Sequence, residues 1–164
     1  MTHDEAFLQA VLEAPDDDAP RLMYADWLTE QGNPRGEFIR VQIELERMDE
    51  FDPRRPALEA REAELIRQNG FRWITPLKIT LQDAAFRRGF VQRVRLSPWR
   101  LSEAAEHLAR ATPLTAWCPV SEWIRAGNGV LQRLASCPHL ARLQTLDFTN
   151  FHVPGGGEAW ERRH

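Results

Sequence analysis

Pro20-Arg21-Leu22-Met23-Tyr24-Ala25-Asp26-Trp27-Leu28, followed by Gly32-Asn33-Pro34-Arg35-Gly36-Glu37-Phe38-Ile39, decides how the first half of the chain folds. The stretch reads as a helix, a hard stop and a second helix. Asp18 stands where an N-cap is needed, and Pro20 falls in the first turn, where its missing N–H costs nothing. Gly32 occupies the position of a left-handed residue closing the helix, and Pro34 cannot continue it.

The pattern extends on both sides. Thr2 and Glu5 form a Thr-x-x-Glu capping box opening a helix over about 3–13, with Phe7, Leu8, Val11 and Leu12 on one face. Asp16-Asp17-Asp18 make an acidic corner. Adjacent carboxylates fan apart and lack the alternate spacing of a calcium loop, so capping and solvation, not metal binding, is the expectation. The second helix is apolar around most of its circumference, which places it at the centre of a bundle. Asp26 within it then needs a partner, and Arg35 or Arg40 beyond the turn predicts a buried ion pair whose loss would damage folding. Phe38, Val41, Leu45 and Met48 step by 3, 4 and 3 along a third helix over about 35–48. A charged fourth helix follows Pro56 and is expected to end at Asn69-Gly70, with Trp73, Ile74 and Leu77 closing the module from a short following segment.

From Phe86 the periodicity changes. Phe90, Gln92, Val94 and Leu96 alternate with Val91, Arg93 and Arg95, as in a strand ended by Ser97-Pro98. A helix over 101–111, an extended piece from Leu114 to Trp117, a helix over 130–137 and a strand towards Phe148 complete an α/β alternation. Leu140-x-x-Leu143-x-x-Leu146-Asp147-Phe148 fits a leucine-rich pattern, and Leu114 and Trp117 stand 29 residues before Leu143 and Leu146. On this reading Leu146 and Phe148 point inward while Asp147 and Thr149 face a concave surface. The pattern stops at Phe151, where such a repeat calls for Asn, and 154–164 reads as a flexible tail. The fold class expected is α+β: a helical module over 1–80, then a short strand–helix unit over 86–153.

Asp17-Asp18, Pro20-Arg21-Leu22, Tyr24 to Leu28, Gly32, Pro34 to Ile39 and Gln42 together resemble the repeat-companion domain of planctomycete-type bacteria. Phe86 to Val91 is similar to the segment linking that domain to leucine-rich repeats, and Pro138-His139-Leu140 to Asp147 looks like a first repeat. The resemblance implies Tyr24, Asp26, Trp27, Arg35, Gly36 and Phe38 as structural motif residues in a multidomain scaffold. It carries over no catalytic residue.

Charge is unevenly divided: residues 1–50 hold 13 acids against 4 arginines, and the remainder 11 acids against 17 basic residues. That layout fits either two modules or an acidic face docked on a basic one. The sequence shows neither a signal peptide nor a long apolar run, and Cys118 and Cys137 lie far apart, which gives a cytoplasmic expectation. His107, His139 and His152 are scattered, and no nucleophile–base set is visible, so no enzyme activity, metal or cofactor is expected. The expected role is a protein-interaction module contacting its partner through Arg93, Arg95, Asp147 and Thr149. The alternative is a nucleic-acid patch of Arg87, Arg88, Arg93, Arg95 and Arg100 with Trp99.

Overall fold

A computed structural model of the chain describes residues 2–120 and 128–147. Four helices come first: α1 (His3–Glu13), α2 (Ala19–Glu30), α3 (Arg35–Arg47) and α4 (Arg55–Ile74). Then follow β1 (Ala84–Arg87), β2 (Phe90–Leu96), α5 (Pro98–Ala111), β3 (Ala116–Pro119), α6 (Asn128–Ala135) and β4 (Thr145–Leu146). The class is α+β, with the bundle preceding a four-stranded sheet of order β1-β2-β3-β4. Among the described residues no helix is long and apolar enough to cross a membrane.

The capping box on α1 forms in full: Glu5 N donates to the Thr2 hydroxyl at 3.2 Å and Thr2 N to the Glu5 carboxylate at 2.7 Å. Gly32 ends α2 in the left-handed region at φ +67°. Gly36 lets α3 cross α2 closely, because a Cβ there would lie 2.5 Å from both the Ala25 carbonyl and the Thr29 hydroxyl. The buried face of α2 is Arg21, Tyr24, Ala25 and Leu28, an i, i+3, i+4, i+7 stripe, while Met23 is exposed. Asp26 therefore turns outward. It does pair with Arg40, at 2.5 Å, but its side chain is 67% exposed, so the buried ion pair expected from the sequence is corrected to a surface one. The expected end of α4 is also wrong. The helix runs through Asn69-Gly70, whose Asn69 amide donates to the Leu65 carbonyl, and Trp73 and Ile74 are its own buried last turn. Burying those two side chains outweighs the weak helix propensity of Asn-Gly.

Strands β2, β3 and β4 are parallel, with α5 and α6 as the crossovers, and β1 adds antiparallel to β2. The 29-residue interval is the register of the last pair: Ala116 faces Thr145 and Trp117 faces Leu146. Val91, Val94, Leu96 and Trp117 pack against Leu101, Ala105 and Leu108 of α5 and Val130 and Leu134 of α6. Ile74, Leu77 and Ile79 join that core, so α4 runs directly into it. Leu146 shares a face with Trp117 but is 54% exposed, a correction to its expected burial: no described element lies beyond β4 to cover it. Phe148, Thr149, Phe151 and the tail over 154–164 lie outside the described residues.

Candidate functional site

The β1–β2 hairpin is where the basic half meets the acidic half. Arg88 and Gly89 form its two-residue loop, both at positive φ (50° and 84°), as a tight hairpin turn requires. Gly89 has no substitute there, because a Cβ would lie 2.1 Å from Ile39 Cγ1. Its N–H donates to the Gln42 side-chain carbonyl at 2.7 Å. Arg88 is buried and reaches the acidic corner, donating to the Asp16 carbonyl (2.9 Å), the Pro15 carbonyl (3.2 Å) and the Asp18 carboxylate (3.2 Å). Asp18 makes no side-chain cap on α2; it is held by Arg88 and by Arg47 at 2.5 Å. Burial pushes the Asp18 carboxyl up, but those two guanidiniums outweigh it and hold it below its ordinary value. The acidic corner, expected from the sequence to cap a helix and to be solvated, is thus a receptor for an arginine. Arg87 beside it pairs with Glu46 of α3 at 2.6 Å.

Phe90, the first residue of β2, is fully buried in the helical core with Val11, Tyr24, Ala25, Leu28, Ile39 and Ile43. Two guanidiniums face its ring, Arg35 at 4.8 Å and Arg21 at 5.7 Å from the centroid. Burial lowers the Arg21 pKa to about 10, and it lowers that of Arg35 as well. Tyr24 stacks on the same ring and donates its hydroxyl to Asp4 at 2.5 Å, and its pKa is raised by burial and by that carboxylate. Phe38 stacks on Trp73 at 4.6 Å. The motif residues Tyr24, Arg35, Gly36 and Phe38 are therefore packing and crossing residues, Trp27 packs at the edge of the same cluster, and Asp26 lies outside it.

The sheet face turned away from α5 and α6 is different in kind. Arg93 and Arg95 stand exposed on β2, and small Ala116 and Cys118 lie opposite them on β3. Arg93 reaches across to Asp147, just past β4, at 3.2 Å. Three of the four predicted contact residues thus share one surface, and the fourth, Thr149, lies outside the described residues. The sequence reading missed Gln92. Strict alternation groups Gln92 with Phe90, Val94 and Leu96, but β1 residues Ala85 and Phe86 pair with Arg93 and Val91, which leaves Gln92 as an extra, bulged residue. Val91 thereby faces the core and Gln92 moves next to Arg93, on a cleft of about 250 Å³. Of the five arginines in the alternative patch, Arg87, Arg88, Arg93 and Arg100 are paired with carboxylates, the last with Asp83 at 3.1 Å. Trp99 lies under the Arg133 guanidinium, 5.1 Å from its ring centroid. Among the described residues no group of three or more His, Cys, Asp or Glu side chains is placed to hold a metal ion.

No family model matches this chain, and no curated protein or solved structure matches it.

Proposed function

We propose that the chain is a non-catalytic protein-interaction module, a helical repeat-companion domain followed by a truncated leucine-rich-repeat-like unit. Its contact surface is the outward sheet face. The observation that carries this reading is the parallel β2-β3-β4 sheet, with α5 and α6 packed on one face and Arg93, Arg95 and Asp147 on the other. Strand intervals of 23 residues (Val94 to Trp117) and 29 residues (Trp117 to Leu146) support the repeat-like reading. Exposed charged side chains held on rigid strands suit recognition of a partner surface. The pairing of most of the basic segment with the chain's own carboxylates favours a protein partner over nucleic acid, since those charges are not free to displace counterions from phosphate.

Capture from bacterial lysate, with an Arg93→Glu/Arg95→Glu variant as control, tests the reading. A defined protein retained by the parent and lost by the variant is expected. Equal capture by both would overturn it, as would low-salt binding of oligonucleotide that falls steeply with added salt.

A further inference from the structure

The bulge in β2 builds a small polar cleft with an unmet donor in it. Gln92 is 4% exposed, yet its side-chain Nε2 has no hydrogen-bond partner among the described residues. Leaving a buried amide unmet is destabilising, and an apolar side chain of the same size would avoid that cost. Gln92 shares the cleft with Arg93, Thr115, Ala116, Gln144 and Thr145, so hydroxyls and a second carboxamide line it, and small Ala116 leaves the space open. Arg87, Arg93 and Arg95 outnumber Glu46 and Asp147 on this side of the hairpin and sheet, and Arg95 has no carboxylate partner among the described residues.

We propose that this cleft receives a carboxylate side chain of an acidic partner peptide, accepted by the Gln92 amide and attracted by Arg95, an inference that rests on the interaction reading above. A carboxylate satisfies what the cleft lacks. It offers acceptors only, it suits the local excess of guanidinium charge, and its hydrogen bonds with ionic character are the stronger kind. A basic peptide would meet the guanidiniums as like charges. A run of phosphates would meet Asp147 and Glu46 on the flanks.

The test is fluorescence anisotropy with a short rhodamine-labelled peptide of alternating Glu and Ser. Its Gln/Ser counterpart and an oligonucleotide of equal charge serve as comparisons. Binding of the Glu peptide is expected to weaken about tenfold in Gln92→Leu and in Arg95→Ala, and to stay unchanged in Arg67→Ala, an exposed α4 residue that does not line the cleft. Gln92→Leu removes an unmet polar group, so its thermal melt is expected at or above the parent's, which separates lost binding from lost folding. The inference is overturned if Gln92→Leu binds like the parent, if the Glu peptide does not bind, or if the oligonucleotide displaces it. Should lysate capture still depend on Arg93 and Arg95 in those cases, the acidic-peptide assignment falls and the broader interaction reading stands.

Discussion

Arg88 and Arg95 lie within one short segment of chain and have opposite fates. Arg88, at the hairpin tip, is buried, and its two terminal nitrogens donate to Pro15, Asp16 and Asp18. Arg95, on the outward face of the same strand, stands in solvent. The difference teaches that a basic run is not one surface. Strand direction and a two-residue turn send part of it into the acidic helical module as structure and leave Arg95 exposed on the sheet. The opposite charges of the two halves are thus used internally, as an acidic face docked on a basic one.

The contrast is broken most severely at Gly89. Gly89→Ala puts a Cβ onto Ile39 at a positive-φ position, and a stability loss of more than about 4 kcal/mol is expected, read as loss of cooperative unfolding by circular dichroism. Arg88→Ala comes next. It deletes one partner of a mostly buried pair, and chemical denaturation should show a loss of about 3 kcal/mol. Acid acts through the same contact. The Asp18 carboxyl is held below its ordinary 3.8, so its contribution is complete above that value and lost as pH falls through the lower, folded-state one. A melting temperature that drops below about pH 4 is expected, with a smaller drop in Asp18→Asn. The smallest effects belong to exposed side chains. Asp26→Ala and Arg95→Ala should each melt within about 0.5 kcal/mol of the parent.

The Asp26 prediction reverses what the sequence alone implies, and the reason is instructive. Met23 and Trp27 made α2 look apolar all round, but the buried stripe passes through Arg21, and exposed Met23 shares the outer side with Asp26. A hydrophobicity pattern does not anticipate an arginine as one of the largest fully buried side chains. The Thr2–Glu5 capping box and the Gly32 stop were legible from local signals, and the 29-residue register of β3 on β4 from the spacing of the repeat pattern. The end of α4 was not, because burial of Trp73 and Ile74 against distant residues overrides the Asn69-Gly70 break. Nor was the Gln92 bulge, which exists only in the pairing of β2 with β1. The one trace it leaves in the sequence is the consecutive apolar pair Phe90-Val91, which serve two different cores.

A double-mutant cycle between Asp18 and Arg88, measured by urea denaturation of Asp18→Ala, Arg88→Ala and the double variant, tests most directly whether the two halves are held together by this contact. A coupling energy of about 1.5–3 kcal/mol is predicted, as for a hydrogen bond between charged groups shielded from water. Additive losses, with a coupling near zero, would contradict the account and leave Arg88 held by the Pro15 and Asp16 carbonyls rather than by the Asp18 carboxylate.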